Sequence, residues 1–105
     1  MKRYLGAFTI GLMLIGTSAW ADEQKIEIKE YNFIPASLTI PVGTKVTWVN
    51  RDEIPHTIDD SNKLFRSPAL DTDESYSYTF TTPGTYQYGC RLHSHMAGNI
   101  IVTEK

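Results

Sequence analysis

A single cysteine, Cys90, stands in a chain of 105 residues, which excludes an internal disulfide as a source of stability. Histidine and methionine are almost as scarce, with three of each. Basic excess is missing too: the formal net charge is −2, which argues against nucleic acid or an anionic membrane as partner. No segment repeats, no linker or low-complexity stretch divides the chain, and no useful length of it has helical period. The sequence therefore describes one small domain without helices and without a covalent staple.

The N-terminus reads as a processing segment rather than as structure. Lys2 and Arg3 lead an apolar run from Leu5 to Gly16, and Ala19 and Ala21 frame Trp20 as the small residues a signal peptidase reads. The run is shorter than the roughly 20 apolar residues that cross a bilayer, and no other stretch reaches that length. Residues 1–21 are thus expected to be a signal peptide, leaving residues 22–105 as an exported domain with no membrane span. Its eight Lys and Arg against twelve Asp and Glu give a formal charge of −4, which leaves room for a neutral or basic protein partner. A chain of this size buries only about 60–65% of its unfolded surface, so a bound metal would be a useful second source of stability. In an oxidising compartment an unpaired Cys90 also needs a use, and metal ligation is one.

Past Ala21 the hydrophobic pattern has period 2: Ile26/Ile28, Leu38/Ile40/Val42, Val46/Trp48, Tyr76/Tyr78/Phe80, Tyr86/Tyr88/Cys90 and Ile100/Val102. Turn signals separate these runs at Pro41 to Thr44 and Thr82 to Thr85. Six to eight short strands in one small domain predict an all-β antiparallel sandwich or small barrel. The long connection from Asp59 to Glu74 is the one place for a helical turn or an irregular strand. Its acids, Asp59, Asp60, Asp71, Asp73 and Glu74, read as a solvated loop surface.

Cys90, His93, His95 and Met96 crowd into seven consecutive positions. On the strand before them Tyr86, Tyr88 and Cys90 share a face, so inward tyrosines carry the thiol inward as well. His93 and Met96 are expected to curl back toward it from a loop closed by Gly98. His56, following Ile54 and Pro55 at the end of the Val46/Trp48 strand, supplies a second imidazole from 34 residues upstream. Two His, one Cys and a weak axial Met make the set a type 1 copper site uses, soft enough for Cu(I) and acceptable to Cu(II). Zinc competes on ligand type, but a Cys90, His93, His56, His95 set would leave Met96 unused.

At these residues the sequence resembles the cupredoxins, and within them the amicyanin-like members with short ligand loops: their C-x-x-H-x-x-M is here "CRLHSHM". Tyr31 to Thr57 carries F-x-P, G-x-x-V-x-W-x-N and P-H elements, and "PGTYQYGC" leads to the thiol. The resemblance implies a Greek-key β-sandwich with one Cu(I)/Cu(II) ion held by His56, Cys90, His93 and Met96. It also implies a periplasmic monomer, not an enzyme, that shuttles single electrons between redox proteins such as a c-type cytochrome or a periplasmic dehydrogenase. In that family the second His lies at the surface within an apolar ring, to which Leu92, Ala97 and Pro55 could contribute here. Three positions depart from the family: Leu92 and Ser94 flank the second His where such loops often carry Pro, and Thr57 stands in place of an Asn that hydrogen-bonds across to the thiolate loop. His95 stands where the family varies, as a solvent-facing residue or a further copper contact.

The same residues would also suit a copper-delivery protein, distinguished from a carrier by passing its metal to an acceptor. Hydrolytic chemistry lacks its parts: the metal set uses the histidines that a Ser-His-Asp arrangement would need, and no acidic residues are spaced as a catalytic pair.

Overall fold

The computed structural model describes residues 22–104; the expected signal peptide lies outside them. Eight strands occur among the described residues: β1 (Glu23–Lys29), β2 (Asn32–Ile34), β3 (Ser37–Pro41), β4 (Lys45–Asn50), β5 (Asp59–Asp60), β6 (Ser75–Thr79), β7 (Gly84–Cys90) and β8 (His93–Thr103). They form two four-stranded sheets, β2-β1-β4-β6 and β3-β8-β7-β5, and no helix occurs among the described residues. The all-β sandwich matches the expectation from period 2.

Alternation explains which faces meet. Ile26 and Ile28 of β1 and Val46 and Trp48 of β4 are buried, and so are Ile40, Tyr88, Ile100 and Val102 of the other sheet. These side chains form one core, with Trp48 edge-on to Tyr88 at 5.4 Å and Phe33 edge-on to Tyr88 at 4.7 Å. Each buried Ile or Val contributes about 1.5–3 kcal/mol from removal of its surface from water. Tyr88 crosses the sheet over Gly98, its register partner: a Cβ on Gly98 would stand 2.5 Å from the Tyr88 hydroxyl. Only glycine lets the ring lie there.

The strand count predicts antiparallel sheets, but two of the pairings are parallel. β1 pairs parallel to β4 and β3 pairs parallel to β8. The reason is the crossover: β3 joins the opposite sheet before the chain returns as β4, so β4 re-enters beside β1 in the same direction. The Asp59 to Glu74 connection holds the two-residue strand β5 and an isolated bridge between Asp59 and Arg66. Its acids are not uniformly solvated: Asp60 is buried, its Oδ2 accepting from the Asn62 and Leu64 N–H groups.

The ligand segment also departs from the expected loop. β8 begins at His93, so Arg91 and Leu92 alone turn the chain between Cys90 and His93. Gly89 pairs with Ala97 and Cys90 with His93, a one-residue step on β7 against four on β8. Ser94, His95 and Met96 therefore have no register partner on β7 and bulge from the ladder. A Cβ on Gly89 would lie 2.9 Å from the Met96 carbonyl oxygen, so this glycine lets the bulge close against β7.

The Tyr88 hydroxyl and the Trp48 indole N–H are buried without a hydrogen-bond partner among the described residues. Burial pushes the Tyr88 phenol up to about 12, the nearby Trp48 N–H pulling it only partly back. A phenol raised on folding keeps its full contribution below the unfolded value near 10 and loses it as pH rises toward 12. Denaturant melts should therefore show wild-type stability falling by about 2–3 kcal/mol across that window, from 1.36 kcal/mol per pKa unit. Tyr88→Phe should flatten this loss and cost under about 1 kcal/mol at pH 7, because the lost hydroxyl had no partner; an equally steep alkaline loss in the variant would contradict the assignment.

Candidate metal centre

His56 has no solvent exposure, so every polar atom it carries must be satisfied within the protein. The backbone N–H donates to Leu70 O at 3.1 Å and the carbonyl accepts from Leu70 N–H at 2.8 Å. Upstream, the buried Asn50 amide donates to Ile54 O and Leu70 O and accepts from Asp52 N–H, which fixes the turn that delivers His56 from β4.

Asp52 completes the arrangement. Its Oδ2 lies 2.8 Å from His56 Nε2, and a carboxylate can only accept, so Nε2 carries the ring proton. Nδ1 is left with its lone pair, 3.9 Å from Cys90 Sγ. The same carboxylate accepts from the backbone N–H groups of Glu30 at 2.6 Å and Tyr31 at 3.0 Å. Burial pushes the Asp52 carboxyl up, but the hydrogen bonds from Tyr31, Glu30 and His56 outweigh it and hold the group below the usual carboxylate range.

Glu30 and Tyr31, the two residues between β1 and β2, have φ of 53° and 63°, the left-handed backbone of a tight hairpin turn. The Asp52 clamp holds these non-glycine residues there. Tyr31 is thereby set beside three imidazoles: edge-on to His93 at 5.0 Å and His56 at 5.5 Å, and stacked on His95 at 5.9 Å. Neither Asp52 nor Tyr31 was expected at the site from sequence. A carboxylate four residues before a candidate His ligand was the available signal for Asp52; for Tyr31 nothing in the sequence announced the left-handed turn.

The sequence-predicted donors largely meet. One ligand atom each from His56, Cys90 and His93 lie within 4.8 Å of one another, with His93 Nδ1 3.6 Å from Cys90 Sγ. Roughly 2–2.5 Å separates the centre of such a triangle from its corners, the range of metal–nitrogen and metal–sulfur bonds. Met96 is buried in the same core cluster as Cys90. His95 is exposed and is not part of the three-residue group. Two imidazoles and a thiol in this compact triangle, beside a buried thioether, fit one copper ion.

Thr57, the departure from the family's Asn, keeps the cross-link that Asn would make. Its N–H donates to Cys90 Sγ at 3.3 Å, and its Oγ1 accepts from Arg91 N–H at 3.0 Å. A hydroxyl is sufficient because the Arg91–Leu92 turn brings its backbone N–H close. Of the three residues considered for an apolar ring, Leu92 is 50% exposed, and Tyr31 at 42% adds the larger surface beside His93.

Comparison with known proteins agrees with this geometry. A cupredoxin-like domain model matches residues 4–102. The chain is 32% identical over 82 residues to amicyanin of Paracoccus denitrificans, spanning 73% of this chain and 63% of that protein. It is 30% identical over 101 residues to amicyanin-alpha of Methylorubrum extorquens, spanning 91% and 85%. Among solved structures, a methionine-to-alanine variant of amicyanin in its Cu(I) form superposes with a TM-score of 0.72 at 30% identity, over 75% of this chain and 80% of that one.

Replacing Asp52 with Ala should lower the stability of the metal-free protein by about 1–3 kcal/mol, because buried donors lose their acceptor. A depressed carboxyl contributes fully above the unfolded value near 4, and its contribution is lost as pH falls through the lower folded value. Denaturant titrations from pH 7 to pH 2 should therefore bring wild type and Asp52→Ala together at the acid end; a gap that stays constant with pH would refute the Asp52 role.

Proposed function

The chain belongs to the cupredoxin family, and from that premise we propose that it is an exported type 1 copper protein carrying single electrons between redox proteins, with His56, Cys90, His93 and Met96 as ligands. The observation that carries this reading is the meeting of a buried thiol with two imidazole Nδ1 atoms, one imidazole buried and the other partly exposed. Copper bound there supplies a Cu(II)/Cu(I) couple that takes up and gives back one electron.

The protein's own residues do the rest. Asp52 fixes the tautomer and orientation of His56. Strand β7 carries Cys90 to the end of the core, and the Arg91–Leu92 turn presents His93 toward solvent. Tyr31 packs edge-on against that imidazole, and with the neighbouring exposed Leu92 it gives a partner an apolar face to press against. His93 is then the side on which electrons enter and leave. A fold already organised around its donors rearranges little between oxidation states, which favours rapid transfer.

Removal of residues 1–21 and residence in the periplasm belong to the same proposal; β1 begins at Glu23, two residues past the expected cleavage point. Among the described residues no helix is long and apolar enough to cross a membrane. The redox partners we propose are a c-type cytochrome or a periplasmic dehydrogenase, with the protein acting as a monomer. Delivery of copper to an acceptor is the competing task, but burial of His56, Cys90 and Met96 favours a site that keeps its metal.

The protein cleaved after Ala21 and loaded with Cu(II) should show an intense thiolate-to-copper absorption band and narrow hyperfine splitting in electron paramagnetic resonance, both absent from Cys90→Ala. A pale tetragonal signal that survives in Cys90→Ala, or rapid passage of copper to an acceptor apoprotein, would reject electron carriage in favour of storage or delivery.

A further inference from the structure

Behind the thiol lies a charged network that the ligand set does not require. The Thr57 hydroxyl is 2.6 Å from Asp59 Oδ2 and 3.6 Å from Cys90 Sγ. Asp59 Oδ2 also accepts from the Arg91 N–H at 3.0 Å, and its Oδ1 takes Arg91 Nη1 at 2.6 Å. Arg91 Nη2 donates in turn to Ser67 O at 3.1 Å, which ties the guanidinium down. Arg66 Nε stands 3.4 Å from the same Asp59 oxygen.

A hydroxyl has one proton and here faces two acceptors. An O–H to carboxylate distance of 2.6 Å lies in the charge-assisted range, whereas sulfur is a weak acceptor and is a full ångström farther away. The proton goes to Asp59, and the Thr57 oxygen accepts from Arg91 N–H instead of donating to the sulfur. That leaves the Thr57 backbone N–H as the donor to Cys90 Sγ. Hydrogen bonds to a ligating cysteine sulfur tune the potential of a type 1 site, and each added donor favours the reduced form because more negative charge then rests on sulfur.

We propose that Asp59, held by Arg91, is a positioning residue that withholds the Thr57 hydroxyl proton from Cys90 and thereby keeps the reduction potential low. The inference rests on the copper reading above. It needs Thr at 57, Asp at 59 and Arg at 91 together, and Asp59 opens the two-residue edge strand β5, where it pairs with Gly89.

The test is a double-mutant cycle on the copper-loaded protein, read by the reduced-to-oxidised ratio at a fixed mediator poise and by the energy of the thiolate-to-copper band. Asp59→Ala should raise the ratio about fivefold, a fraction of what a hydrogen bond to a charged group is worth, and shift the band to higher energy. Thr57→Val alone should change the ratio less than about twofold, because the wild-type hydroxyl does not serve the sulfur. In the Thr57→Val background Asp59→Ala should lose most of its effect, and in a Thr57→Ser background it should keep it. If Asp59→Ala fails to fold, Asp59→Asn should shift both readouts in the same direction by less. An Asp59→Ala effect undiminished by Thr57→Val would trace the shift to lost charge alone and overturn the proposal, as would a Thr57→Val shift equal to that of Asp59→Ala. A wild-type protein with no intense thiolate-to-copper band would overturn the copper reading itself, a result separable from either of these.

Discussion

A fully buried imidazole has no water to turn to, and the copper end of this sandwich is organised around that constraint at His56. Leu70 satisfies its backbone in both directions, Asn50 braces the turn before it, and Asp52 takes its ring N–H. Each partner has a further consequence. Pairing with Leu70 pulls the long connection after β5 against the site. Asp52 also captures two backbone donors of the β1–β2 turn and so sets Tyr31 over the histidines. One buried ring thus fixes the conformation of three separate segments.

The other side of the site depends on ordinary strand geometry. Alternation on β7 puts Tyr88 into the core and Cys90 at its end, and the hairpin returns at once through Arg91 and Leu92. Because β8 then uses four residues where β7 uses one, Met96 returns to the core while His95 faces outward. The spacing of the ligand motif is therefore a property of a bulged hairpin. Gly89 and Gly98 are the two positions that permit the close packing this requires.

Much of this was legible before any coordinates. Period 2 identifies the strands bearing Ile26, Ile40, Trp48, Tyr88 and Ile100, and the inward face of β7 places Cys90. His56 and His93 could be singled out as candidate donors from residue type and spacing, since few side chains in the chain can bind a soft metal, and their ring nitrogens do meet the Cys90 sulfur. What the pattern could not carry was relational. Parallel pairing of β1 with β4 follows from a crossover between sheets, which no local run encodes. The β5 strand is two residues long, too short for any period. Asp52, Asp59 and Tyr31 look like ordinary surface residues because their roles come from partners 4 to 62 positions away. That Thr57 in place of Asn still bonds across to the turn depends on the position of the Arg91 N–H, which residue type alone does not give.

The two-residue turn between Cys90 and His93 also bears on how a metal comes and goes. Two donors tied by so short a link would act as one bidentate claw: with an ion on the sulfur, the neighbouring nitrogen would meet it at an effective concentration near the millimolar range or above. His56 is a rigid wall on the far side, enclosed by protein and unable to swing out. An ion held there would exchange most readily from the side of the partly exposed His93, and Tyr31, edge-on to that ring, would set how easily it lifts away.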